Sequence, residues 1–183
     1  MTLAVTGGQG VGKTTFCKAL ACDLQARTSL PVDILPSIGE GLKRQGIPYG
    51  SAATSSSVLA IYAAHLERQR LAPSSGIIIL DRCAVDALCY VRALGLNSAA
   101  EINLLVETSL MMARSIDFIF HLEMSGIFIE TAATHETPEL RKRVADLFPA
   151  ALSELGRPYQ SMYAASEYAI NEALLAIDPI IAP

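Results

Sequence analysis

An eight-residue run near the start of the chain, Gly7-Gly8-Gln9-Gly10-Val11-Gly12-Lys13-Thr14, constrains this sequence more than any other feature. It fits the pattern G-x-x-x-x-G-K-[ST] without a gap. A short apolar run, Leu3 to Thr6, precedes it, and helical spacing follows it, which predicts a strand, a glycine loop and a helix. Backbone N–H groups of such a loop converge on phosphate oxygens, and the helix N-terminus attracts the same anion. The run therefore predicts a nucleoside triphosphate site.

The last two residues of the run, Lys13 and Thr14, have expected roles in binding. Lys13, which we expect to be an exposed loop residue, would reach the β and γ phosphates, and the Thr14 hydroxyl would join the coordination shell of Mg²⁺. A nucleoside triphosphate and Mg²⁺ are accordingly the expected ligands of this loop. The residues expected to contact the nucleotide are Gly7, Gly8, Gln9, Gly10, Val11, Gly12, Lys13, Thr14 and Thr15.

A second acidic element follows the clearest strand pattern of the chain, Ile77 to Leu80. Asp81 comes directly after it, at the carboxyl end of a buried strand, where open α/β sheets collect their ligands. We predict that Asp81 faces the metal together with Thr14, although an Asp at this place could also cap the next helix. Arg82 is predicted to clamp a phosphate or stabilise transition-state charge; the alternative is a surface arginine paired with Asp86.

Length, composition and charge exclude several classes of protein. The chain has 183 residues, 51% of them hydrophobic and 17% charged, which predicts one domain over residues 1–183 with a real core. A net charge of -4 argues against a general nucleic-acid binder, and no apolar run is long enough to predict a membrane span. Four cysteines without C-x-x-C spacing suggest a reducing, cytoplasmic compartment. The few charged residues predict a homodimer with an apolar, helix-lined interface.

Strand and helix patterns alternate along the chain, which predicts a parallel sheet covered by helices on both faces. Further strands are expected at Val32 to Leu35, Phe118 to Leu122 and near Gln160 to Tyr163. Further helices are expected from about Ala99 to Arg114, from Pro138 to Leu155 and from about Ser166 to Ile177.

The phosphate loop and the strand ending in Asp81-Arg82 resemble the thymidylate kinase and deoxynucleoside kinase branch of P-loop kinases, and the AAA-like kinase domains related to nicotinamide riboside kinase. The resemblance implies a three-layer α/β P-loop NTPase fold with a five-stranded parallel sheet. It also implies ATP-dependent transfer of the γ-phosphoryl group to a small acceptor, such as a nucleoside, a nucleotide or a related metabolite.

An arginine-bearing lid is a further implication of the resemblance, and it would fall at about residues 125–145. Arg141, Lys142 and Arg143 would supply its positive charge, with Arg141 reaching the nucleotide; alternatively, these three form the solvated side of an amphipathic helix.

The general base departs from the family pattern, because no Glu directly follows the second strand. We predict that Glu40 serves, since it lies in the loop beyond the strand, whereas Asp33 falls within it. A function of a different class also stays open: a regulatory ATPase or switch that binds nucleotide without a small-molecule acceptor.

Overall fold

The computed structural model describes residues 1–124, 136–164 and 168–181. Strands and helices alternate along this part of the chain as the sequence predicts. The strands are β1 (Thr2–Gly7), β2 (Val32–Leu35), β3 (Ile77–Asp81), β4 (Phe118–Leu122) and β5 (Tyr159–Met162). The helices are α1 (Lys13–Arg27), α2 (Gly39–Arg44), α3 (Ser55–Arg70), α4 (Ala84–Leu94), α5 (Ala99–Ala113), α6 (Pro138–Leu155) and α7 (Ala169–Ile181), with a short 3₁₀ turn at Gly50–Ala52.

The five strands form one parallel sheet in the order β2-β3-β1-β4-β5, which confirms the predicted fold class. β1 is central, with β3 on one side and β4 on the other, and its Val5 lies opposite Asp81 of β3. Parallel strands present their carboxyl ends at one edge, where the connections diverge to both sides of the central strand. The loop after β1 and the acid at the end of β3 therefore meet at this edge.

Two apolar clusters hold the three layers together. Side chains alternate across β1, so that Leu3 and Val5 pack with α1 and α7, while Ala4 packs with α3 to α6 on the opposite face. Strand β3 is buried at every position, as expected for a parallel strand that is covered on both faces. The pattern of consecutive isoleucines was therefore a reliable guide to this strand.

The sequence placed two elements near the end of the described chain slightly differently. β5 begins one residue earlier than predicted, at Tyr159, and α7 runs to Ile181, through Pro179. None of the described helices is both long and apolar enough to cross a bilayer.

Candidate active site

The phosphate loop uses its glycines for backbone conformations that other residues avoid. Gly7, Gly10 and Gly12 have φ angles of 138°, 79° and 92°, so the loop repeatedly enters the region of positive φ. At Gly7 a Cβ atom would lie 2.3 Å from the carbonyl oxygen of Leu122 on β4. This position therefore requires glycine both for its φ angle and for its close approach to the neighbouring strand.

Lys13 is buried, with 5% of its surface exposed, which corrects our expectation of an exposed loop lysine. Its Nζ donates to the carbonyl oxygen of Gly7 at 2.9 Å and also to that of Gly8, because the side chain folds back over the loop. Burial and, secondarily, the positive charge of Arg82 lower the pKa of Lys13 to about 7. The ammonium thus lies inside the loop that would hold phosphate, and it lacks full compensation by an anion.

Thr14 and Asp81 meet as the sequence predicts. The Thr14 hydroxyl donates to Asp81 Oδ2 at 2.6 Å, although the two residues come from different strand-to-helix connections. The second oxygen, Oδ1, is buried and makes no hydrogen bond to any described residue. A buried carboxylate oxygen without a partner, beside a hydroxyl at the end of the phosphate loop, fits the oxygen ligands that Mg²⁺ prefers.

The alternative role for Asp81, capping the next helix, is wrong. Helix α4 begins two residues later than that role requires, and its N-cap is Cys83. The carboxylate that completes the cap is that of Asp86, which accepts from the Cys83 backbone N–H at 3.0 Å. Asp81 is consequently left to face the loop.

Arg82 adopts an unusual conformation next to this cap. Its φ is 74°, the only positive value among the described residues other than glycine. Its guanidinium lies 3.1 Å from Asp86, whose other oxygen accepts from the Thr6 hydroxyl at 2.7 Å. The predicted ion pair with Asp86 thus exists, yet only 24% of the Arg82 side chain is exposed, so it is not a surface contact.

The sequence analysis did not identify Glu136, a second carboxylate that lies near Arg82 and Lys13. Glu136 Oε1 accepts from the Tyr90 hydroxyl at 2.5 Å, while Oε2 is buried and makes no hydrogen bond to a described residue. Burial raises the pKa of Glu136, and the positive charges of Arg82 and Lys13 counteract part of this effect. No local pattern marks Glu136, because its partners come from α4 and from the loop after β3.

The other predicted site residues fall into three groups. Glu40 lies exposed in the first turn of α2 and takes no part in the hydrogen bonds around Lys13 and Asp81 that the described residues make. Thr15 is exposed at the start of α1, next to Thr14. Gln9 and Val11 are half-buried within the phosphate loop.

The three basic residues predicted for the lid lie at the start of α6. Arg141 is half-buried, and its charge acts on Glu136. Lys142 pairs with Asp146 at 2.8 Å on the solvated face, and Arg143 donates to the backbone carbonyl of Ala93. Residues 125–135, the first part of the predicted lid, lie outside the described residues.

The histidines and most of the cysteines among the described residues lie buried in structural positions. In the part of the chain that the structure describes, no three His, Cys, Asp or Glu side chains cluster closely enough to hold an ion together. His121 stacks on Phe148 and bonds to the Ser161 hydroxyl at 2.9 Å, so its role is structural, as predicted. Cys83 is buried, and burial raises its pKa to about 12, which fits a small apolar residue.

Solved structures resemble this chain over nearly its full length. Thymidylate kinase from Ehrlichia chaffeensis matches with a TM-score of 0.72 at 17% identity, covering 97% of this chain and 98% of that protein. Deoxyadenosine kinase from M. mycoides, determined with products bound, matches with a TM-score of 0.67 at 12% identity, covering 98% and 100%. NadR protein in complex with NR matches with a TM-score of 0.75 at 15% identity, covering 97% of this chain but 50% of NadR.

A family model described as an AAA domain matches residues 2–167. The match spans most of the chain, and the chain therefore belongs to this AAA-domain family. The three solved structures share the fold of this chain, a five-stranded parallel sheet between helices with a phosphate loop after its central strand. Comparison with curated proteins finds no match.

Proposed function

We propose that the chain is a phosphotransferase that uses ATP and Mg²⁺ to phosphorylate a hydroxyl group of a nucleoside, a nucleotide or a related small metabolite. The observation that carries this proposal is the meeting of Thr14 and Asp81 at 2.6 Å, directly beside the buried Lys13. One edge of the sheet would thus carry both the loop that binds the phosphates and the oxygen ligands that hold the metal. The charges of Arg82 and Lys13 act on Glu136, and we place the acceptor beside Arg82 and Glu136.

The phosphate loop and Lys13 would bind the donor. Backbone N–H groups of the loop and the N-terminus of α1 favour the phosphate oxygens, and Lys13 exchanges its bonds to Gly7 and Gly8 for bonds to phosphate. Thr14 and Asp81 would hold Mg²⁺, which when bound neutralises phosphate charge. The result is a donor held in one orientation, as in-line transfer requires.

On the acceptor side, transfer needs a group that takes a proton. The acceptor oxygen forms a bond to the γ phosphorus, the bond from that phosphorus to the bridging oxygen of ADP breaks, and the hydroxyl proton leaves to a carboxylate. Glu40 is the candidate from sequence and Glu136 the candidate from structure. We favour Glu136, because it lies close enough to Arg82 and Lys13 for their charges to act on its carboxyl group, whereas Glu40 is exposed.

The decisive experiment is phosphoryl transfer from γ-labelled ATP to nucleosides, nucleoside monophosphates, nicotinamide riboside and dephospho-coenzyme A. A labelled acceptor that disappears in Lys13→Ala supports the kinase. Glu136→Gln and Glu40→Gln, tested side by side, separate the two candidate bases through their effects on kcat. If ATP binds and only free phosphate appears, the kinase proposal fails and the regulatory ATPase takes its place.

We also propose a homodimer, supported by an apolar stripe on α3. Leu59 and Leu66 are 66% and 44% exposed and lie on the same helix face as the exposed Ala63. Leu104, on the nearby α5, is 61% exposed. Light scattering at micromolar concentration should give twice the chain mass, and Leu59→Glu should return it to the mass of one chain.

A further inference from the structure

Arg68, in the last turns of α3, binds backbone rather than a carboxylate. Its Nη1 donates to the carbonyl oxygens of Pro36 and Asp81, both at 2.9 Å, and its Nη2 donates to that of Arg82 at 2.5 Å. Its Nε is buried without a hydrogen-bond partner among the described residues, so the two terminal nitrogens make these contacts. One guanidinium thus joins the segments that follow β2 and β3.

His65 supports this guanidinium from one turn earlier on the same helix. Its Nδ1 lies 3.4 Å from Nη2 of Arg68, and 3% of the residue is exposed. Burial, followed by the positive charges of Arg68 and Arg82, lowers the pKa of His65 to about 3. The imidazole is therefore neutral, and its Nδ1 can accept from the arginine.

The two carbonyl groups of β3 and its following loop that Arg68 contacts lie on either side of the strained residue, Arg82. A residue with a Cβ atom is disfavoured at the φ of 74° that Arg82 adopts, so other contacts must stabilise this conformation. The Arg82 N–H donates to the carbonyl oxygen of Val5 at 2.9 Å, its own carbonyl accepts from Arg68, and its side chain pairs with Asp86. Without Arg68, the carbonyl oxygens of both Asp81 and Arg82 lose a charged donor.

We propose that Arg68 is a positioning residue, whose guanidinium holds the Asp81-Arg82 peptide so that Asp81 faces Thr14 while Arg82 faces Asp86. This inference rests on the proposed nucleotide site but assigns Arg68 no contact with nucleotide or acceptor. The contacts that it controls are the Thr14–Asp81 hydrogen bond and the Arg82–Asp86 ion pair, on opposite sides of the same peptide. A single side chain outside the site would thus set the geometry of both its metal side and its acceptor side.

The first test is calorimetry of ATP binding to the wild type and to Arg68→Gln. Each protein is titrated once in the presence of Mg²⁺ and once in the presence of EDTA. Partners that orient a metal ligand typically contribute about ten- to a hundredfold in affinity, so Arg68→Gln should weaken binding of Mg-ATP by that factor. The affinity for ATP in EDTA depends on the phosphate loop, so it should change less than threefold, which corresponds to roughly 0.6 kcal/mol. The matched control is Arg70→Gln, since Arg70 lies on the same helix in an exposed pair with Glu67.

The second test needs no nucleotide and so separates this inference from the proposed function. Backbone ¹³C chemical shifts of Arg82 in the ligand-free protein should indicate positive φ in the wild type and in Arg70→Gln. They should leave that range in Arg68→Gln. If the shifts stay unchanged, Arg68 does not position this peptide and the proposal is wrong, whether or not the protein proves to be a kinase.

Arg68→Lys provides a variant with milder consequences in case the glutamine substitution prevents folding. Lysine keeps the positive charge, but its single nitrogen lacks the planar fork that reaches three carbonyl oxygens. We expect Mg-ATP affinity between those of the wild type and Arg68→Gln, together with altered Arg82 shifts. Wild-type values of both quantities in Arg68→Lys would overturn the proposal.

Discussion

Replacing Lys13 by methionine should stabilise the protein at neutral pH while abolishing tight ATP binding. In the folded protein the pKa of Lys13 is lowered from 10.5 to about 7, chiefly because burial disfavours the charged form. Folding at pH 7 therefore carries a cost of roughly 4 to 5 kcal/mol for this group. Methionine has a similar length and no charge, so the variant removes this cost.

The loss of two hydrogen bonds in the variant offsets part of this stabilisation. The carbonyl oxygens of Gly7 and Gly8 lose a donor in Lys13→Met, at about 1 to 2 kcal/mol each. The net stabilisation at pH 7 should be about 2 kcal/mol, or about 4 to 8 °C in Tm for a chain of this size. ATP affinity should fall at least about a hundredfold, since the phosphates lose their buried cation.

The pH dependence of the free energy of unfolding shows whether burial of the ammonium causes the stabilisation in Lys13→Met. A lysine whose folded-state pKa is lowered binds its proton less readily than in the unfolded chain, so the wild type loses stability as the pH falls from 10.5 to 7. Below pH 7 the cost is constant, and above pH 10.5 it is absent. The advantage of Lys13→Met should therefore be largest at about pH 7 and below, and it should vanish or reverse near pH 10.

Urea unfolding across this pH range measures the difference directly. Lys18→Met is the matched control, because Lys18 lies exposed on the same helix. If Lys13→Met destabilises the protein equally at pH 7 and pH 10, burial of the ammonium has no cost and the reasoning is refuted.

Three further predictions concern single positions. Gly7→Ala should destabilise the protein by about 2 to 4 kcal/mol because its Cβ would lie 2.3 Å from a backbone oxygen, whereas Gly41→Ala, with open space around it, should be neutral or slightly stabilising in thermal melts. Asp81→Asn should weaken ATP binding about ten- to a hundredfold with Mg²⁺ but little in EDTA; an equal loss in both would contradict a metal role. Glu136→Gln should reduce kcat about a hundredfold or more while Glu139→Gln, exposed at the start of α6, changes nothing. Because burial raises the pKa of Glu136, wild-type kcat should fall as the pH drops through a pKa above the ordinary range of glutamate, and a profile flat to pH 4.5 would refute the assignment.

The parts of the site that follow from sequence are those built by consecutive residues. The phosphate loop is one segment whose glycines and Lys13 define its chemistry, and β3 is one apolar run with Asp81 at its end. The sequence also predicted that Thr14 and Asp81 face one site, and the two lie within hydrogen-bond distance because parallel strands place both connections at the same edge. Local periodicity and a general rule of sheet topology were sufficient for these features.

Other features depend on contacts that leave no sequence pattern. Arg68 binds backbone carbonyl oxygens, which every residue possesses, so no acidic partner marks its role. The capping role of Asp81 was a wrong alternative because Arg82 enters the positive φ region and delays the start of α4 to the residue after Cys83. A change of one backbone angle thus decides which carboxylate caps and which faces the loop.

The sequence by itself determined the class of this protein: a parallel α/β fold with a phosphate loop, an acid at the end of a buried strand, and an arginine beside it. Only the tertiary structure decided that Lys13 is buried, that Glu136 accepts from Tyr90, and that Arg68 donates to the carbonyl oxygens of Asp81 and Arg82. The physical reason is distance along the chain. Backbone conformation and periodicity are local, whereas burial, charge pairing and hydrogen bonding to carbonyl oxygens depend on which distant segments the packed core brings together.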